Sequence, residues 1–186
     1  MRVASCLILY FTLVLAGCAA PRIVVLSDPL DAREHNDLGV SYEAAGKTDL
    51  ALQAYAAAAG KDPSWDQPLI NRGNALAAQG HWPEAEASYR QALKRNPRNP
   101  EAMNNLAFAL LNRGKTDDAL EWSATALAIE PDNTVFMATR AQTLAAAGDK
   151  AAALDLLRDA LGRMPAGDPL REKITALRDR IADAAP

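Results

Sequence analysis

Pro63, Pro97, Pro131 and Pro165 stand 34 residues apart. Gly46, Gly80, Gly114 and Gly148 keep the same interval. So do Ala51, Ala85, Ala119 and Ala153, and again Ala58, Ala92, Ala126 and Ala160. One period shared by several residue types marks an internal repeat, in which each unit buries its apolar face only against its neighbours. Between a proline and the next glycine, apolar residues such as Met103, Leu106, Leu110 and Leu111 fall at helical spacing. The glycine ends that helix, because it takes a left-handed backbone without steric cost.

A second helix follows in each unit, for example from Asp117 to Ile129, with Thr116 placed to cap its first turn. It stops just before the proline, which pushes the preceding residue out of the α region. The eighth residue of each unit is small (Gly39, Gly73, Ala107, Ala141), and the sequence predicts that it faces the alanines of the second helix. Close helix approach of this kind accounts for a chain that is 49% hydrophobic yet only 5% aromatic.

The repeat resembles the tetratricopeptide repeat (TPR), most clearly in PEAMNNLAFALLNRGKTDDALEWSATALAIEPDN, from Pro100 to Asn133, and next in LINRGNALAAQGHWPEAEASYRQALKRNP. The resemblance implies an all-α, right-handed superhelix of helix-turn-helix units at 32–65, 66–99, 100–133 and 134–167. His35, Leu69, Met103 and Met137 stand where the family carries tryptophan early in the first helix, and Ser123 and Leu157 replace an aromatic in the second. Beyond Gly167, Asp168 and Pro169 read as a helix start. Leu170, Ile174, Leu177 and Ile181 then line one side of a capping helix within 168–186.

The N-terminus predicts a compartment. Arg2 precedes an apolar run from Val3 to Leu15, too short for the roughly 20 residues that cross a bilayer and of the length of a signal-peptide core. Leu15-Ala16-Gly17-Cys18 then resembles the bacterial lipobox, the other reading of the segment being an uncleaved N-terminal anchor. The resemblance implies cleavage after residue 17, lipid on the Cys18 sulfur and amino group, and a lipidated tether over 18–31. Several acyl chains anchor far more firmly than one. Ala19, where proteins kept in the inner membrane often carry aspartate, points to the periplasmic face of an outer membrane. The other cysteine, Cys6, lies in the segment to be removed, so no thiol or disulfide is expected in the fold. Ile23 to Leu26 reads either as a strand-like segment on the domain or as part of the anchor.

Chemistry is hard to place. His35 and His81 occupy different repeat positions, so no paired metal spacing arises. No serine sits in a GxSxG turn, and the glycines mark helix ends instead of a phosphate loop. Glu84, Asp117 and Asp118 suit first helical turns. The expectation is a non-enzyme without metal or cofactor. A net charge of −3 with no basic stripe argues against nucleic acid.

By the family resemblance, unit positions 2, 5, 9, 12 and 13 face a concave groove for a protein or peptide. The candidate contacts are Asn36, Val40, Ile70, Asn74, Asn104, Phe108, Leu111 and Gln142, among which Phe108 and Leu111 read as apolar anchors or as packing against a neighbouring helix. The asparagines read first as structural and second as peptide-binding. The carboxylate clamp of chaperone-binding TPR proteins is not matched: of Asn36, Val40, Asn71, Glu101 and Asn105, only Asn71 fits, and Glu101 has the wrong sign. The expected function is a membrane-anchored adaptor, similar to lipoproteins of type IV or tight-adherence pilus assembly that serve a secretin. The alternatives are an accessory subunit of a cell-wall enzyme or periplasmic peptidase, and a self-associating scaffold.

Overall fold

A computed structural model describes residues 28–184, which form nine helices and no strand. The helices are α1 (Ala32–Ala44), α2 (Thr48–Lys61), α3 (Gln67–Ala78), α4 (Trp82–Arg95), α5 (Pro100–Asn112), α6 (Thr116–Ile129), α7 (Thr134–Ala146), α8 (Lys150–Arg163) and α9 (Pro169–Asp183). They pair as α1·α2, α3·α4, α5·α6 and α7·α8, and each pair packs on the next. The four repeats and the capping helix thus appear as the sequence predicts.

The 34-residue glycines act at the turn inside each pair. Gly46, Gly80, Gly114 and Gly148 have φ of 69°, 76°, 72° and 90°. At the end of α5, Lys115 N–H donates to Leu110 O at 3.0 Å and Gly114 N–H to Leu111 O at 3.0 Å, a complete Schellman motif that the other three turns repeat. At the other boundary, Asp62, Asn96, Glu130 and Met164 leave the helix with ψ of 96°, 89°, 78° and 137°, each just ahead of its proline.

Thr116 does not cap α6. It is the first helical residue, and the cap position belongs to Lys115, which makes no side-chain cap bond. The turn is so tight that Lys115 both closes the α5 motif and begins α6. In the last unit that same position is Asp149, whose carboxylate accepts from Ala152 N–H at 3.0 Å.

In the first two units the small eighth residue meets a tyrosine ring instead of an alanine. A Cβ built on Gly39 would lie 2.5 Å from the Tyr55 ring, and one on Gly73 would lie 2.4 Å from Tyr89. Both tyrosines are buried, at 1% and 2% exposure. Where Tyr55 and Tyr89 give way to Ser123 and Leu157 one period on, the glycine becomes Ala107 or Ala141. Volume is exchanged across the helix pair so that its packing stays dense.

The core runs along the array, from Tyr55 and Ala75 through Tyr89, Leu106 and Leu110 to Met137, Leu157 and Ile174. Asp168 caps α9 through Leu170 N–H at 2.8 Å, and Ile174 and Ile181 are buried against the last repeat.

Candidate functional site

Helices α1, α3, α5 and α7 also touch one another in sequence, most extensively α5 and α7, whereas no second helix contacts the next second helix comparably. This asymmetry curves the array and makes the side formed by the first helices the inner one. On that face Val40 and Val135 are open, at 50% and 47% exposure. Asn74, Phe108, Leu111 and Gln142 are half-buried, while Asn36 and Asn104 are buried.

Ile70 does not belong to the surface. It has no exposure and lies in the central core cluster, so it has nothing to offer a partner. Phe108 stacks edge-on against Trp82, with centroids 5.7 Å apart and planes at 79°. Leu111 packs beside the same core. Gln142 Nε2 donates back to Ala138 O within its own helix at 3.4 Å.

The asparagines are largely engaged with each other. Asn71 Nδ2 donates to Asn36 Oδ1 at 2.9 Å, joining α3 to α1, and Gln67 Nε2 donates to Asn71 Oδ1 at 3.0 Å. One unit later, Asn74 Oδ1 accepts from both Tyr89 Oη at 2.8 Å and Asn105 Nδ2 at 3.0 Å. Asn104 Nδ2 then donates to Asn105 Oδ1 at 3.2 Å. These amides stitch neighbouring first helices together. The chain of donors leaves Asn104 Oδ1 over, the one buried side-chain polar atom without a partner among the described residues.

An open cavity of about 550 Å³ lies beside it, lined by Asn74, Glu101, Asn104, Asn105, Glu130, Asn133, Val135 and Phe136. Glu130 accepts from Asn133 Nδ2 at 2.8 Å, and Asp66, just outside, accepts from Asn99 Nδ2 at 2.7 Å. Glu101 is an exposed residue, yet partial burial of its carboxyl raises its pKa; a hydrogen bond from Asn74 opposes this, and the charges of Asp66 and Glu130 add smaller upward contributions. Among the described residues none of the three carboxylates forms an ion pair.

Sequence reasoning passed over Glu86, which is 6% exposed on α4. Its carboxylate receives Arg90 Nε at 2.8 Å, Lys115 Nζ at 3.2 Å and the Arg113 guanidinium. Burial pushes this carboxyl up, but the three cations outweigh it and hold its pKa below the ordinary value. The signal was present in the repeat. Units one, three and four carry Leu52, Leu120 and Leu154 at the Glu86 position, so a carboxylate there demands partners.

Among the described residues no three His, Cys, Asp or Glu side chains are grouped to hold a metal ion. His35 is buried with Nε2 at 2.5 Å from Asp28 Oδ2, and His81 is exposed. No described helix is long and apolar enough to cross a membrane. Cys18, the signal segment and Ile23 to Leu26 lie outside the described residues.

One family model described as tetratricopeptide repeat matches residues 19–65 and 70–134, and a second such model matches 134–159. No curated protein matches by sequence. In fold the chain is similar to a crystal structure of MamA protein, with 18% identity, 81% of this chain and 86% of that chain covered, and a TM-score of 0.65. It is similar to Pseudomonas aeruginosa pilF, with 17% identity, 81% and 67% covered, and a TM-score of 0.69. It is also similar to the first TPR of Spaghetti (RPAP3) bound to HSP90 peptide SRMEEVD, with 22% identity, 67% and 98% covered, and a TM-score of 0.61. At these identities the likeness is one of fold, and the family follows from the models that span the repeats: the chain belongs to the tetratricopeptide repeat family.

Proposed function

We propose that this protein is a lipid-anchored adaptor that holds a segment of a partner protein along the inner face of its repeats, at the periplasmic side of a bacterial outer membrane. The open face between α5 and α7 carries the reading. There an exposed valine, Val135, lines an open cavity whose other walls are mostly polar side chains. The similar TPR of Spaghetti was solved with a peptide bound, which supports the use of such a face for peptide capture. Cys18 in its lipobox-like setting supports the anchor. A place in pilus or secretin assembly is proposed from the same combination of lipobox and repeats, and the fold likeness to pilF agrees with it. The protein acts here by binding, with no turnover of its own.

Hydrogen exchange tests the groove. The protein is extracted in mild detergent with its partner bound, then compared with protein stripped of partner by salt. Added protection in α5 and α7, with α6 and α8 unchanged, supports the reading; protection confined to α6 and α8 opposes it. Labelled palmitate tests the anchor. The wild-type chain should take up label and Cys18→Ser should not.

A further inference from the structure

We infer that the cavity between α5 and α7 is a receptor for a cationic side chain, an arginine of the partner segment, held by Glu101, Glu130 and the Asn104 amide oxygen. The inference rests on the groove being the partner-binding face and adds the chemistry of what it takes.

Two independent observations carry it. The first is Asn104. Its side chain is 4% exposed, it lines the cavity, and its Oδ1 has no donor within the described residues. A buried amide oxygen left without a donor is costly, by an amount comparable to a lost hydrogen bond. Its own amide nitrogen is already engaged with Asn105, so the opening is for a donor alone.

The second is charge. Glu101 and Glu130 line the cavity, Asp66 stands close enough to raise the pKa of Glu101, and no lysine or arginine lines it. The buried atom left over, Asn104 Oδ1, accepts, and so do the two glutamate carboxylates that line the cavity. A ligand must therefore bring several donors and positive charge, and a guanidinium supplies both in a planar fork, with no acceptor to be stranded. Exposed Val135, which lines the cavity, offers apolar cover for the methylene stem of such a side chain. SRMEEVD, with one arginine against three acidic side chains, would bring mostly negative charge to these carboxylates and should bind more weakly than a peptide rich in arginine.

NMR titration of the full-length chain in detergent micelles tests this with three peptides: Ac-GSRLRSG-NH2, its neutral analogue Ac-GSQLQSG-NH2, and SRMEEVD. The arginine peptide should bind saturably and shift the side-chain amide resonances of Asn104 and Asn105. The double variant Glu101→Gln, Glu130→Gln should weaken it by about tenfold or more, while Glu172→Gln, an exposed carboxylate on α9, leaves it unchanged. Circular dichroism confirms that the variants fold. Equal affinity of the double variant, or of the glutamine peptide, overturns the inference. If SRMEEVD or the glutamine peptide shifts α5 and α7 and the arginine peptide does not, the groove reading stands and the cationic receptor falls. If none of the three does, the cationic receptor falls, and hydrogen exchange decides the groove reading separately.

Discussion

The Tyr89 ring occupies the space that a side chain on Gly73 would need: a Cβ there would come within 2.4 Å of ring carbon Cε1. Gly73→Ala should therefore destabilise the protein by about 1–3 kcal/mol, the usual effect of overpacking, despite the better helix propensity of alanine. The fourth unit shows the remedy, since it pairs Ala141 with Leu157. Adding Tyr89→Leu to Gly73→Ala should recover part of the loss in urea unfolding, and additive losses would contradict the volume exchange.

Glu86 joins its own helix to the turn that follows α5. Removing it with Glu86→Gln leaves Arg113 and Lys115, whose side chains are 30% and 39% exposed and can rehydrate. The expected cost is about 1–3 kcal/mol, below the 3–5 kcal/mol of a fully buried broken pair. Its lowered pKa sets the sign of the pH effect. The stabilisation is present above the carboxyl's unfolded value and is lost as pH falls through the lower folded one. Melting curves of wild type and variant should differ by a constant amount at neutral pH and converge in acid.

Glu101 has the opposite sign. Its pKa is raised chiefly by partial burial, which the bond from Asn74 opposes and the charges of Asp66 and Glu130 reinforce, so ionisation works against folding as pH rises through the folded value. Glu101→Gln should raise the melting temperature at pH 7, with the gain fading below the ordinary glutamate range. A lower melting temperature at pH 7 would mean that an unrecognised cation already serves this carboxylate.

Half-buried Phe108 on Trp82 is packing as much as surface. Full burial would put Phe→Ala at about 3–5 kcal/mol; half burial with one edge-on ring partner suggests about 1.5–3 kcal/mol. The melting shift of Phe108→Ala measured alone and beside Trp82→Leu reads the coupling, and strict additivity would return Phe108 to the role of a free anchor.

What the sequence made legible was whatever the period enforces. Four left-handed glycines and four prolines fix where helices stop, because those backbone states depend on one residue. Thr116 was misplaced by one position because two overlapping end motifs compete for Lys115. Ile70 read as groove because a position number cannot say how deeply a neighbouring helix covers it. Asn104 was placed on the inner face, but its unmet oxygen follows only from how Asn74, Asn105 and Tyr89 divide their donors, which is a property of three helices together.

The claim that the inner face is the working surface is tested most directly by a photo-crosslinking residue at Val135, with Leu50 as the comparison. The two positions are similarly exposed, at 47% and 41%, but Val135 borders the cavity and Leu50 lies on the second helix of the first unit. Irradiation of cells making each variant should give a discrete partner adduct from Val135 and none from Leu50. An adduct from Leu50 with none from Val135 would put the binding surface on the outer helices and contradict the account.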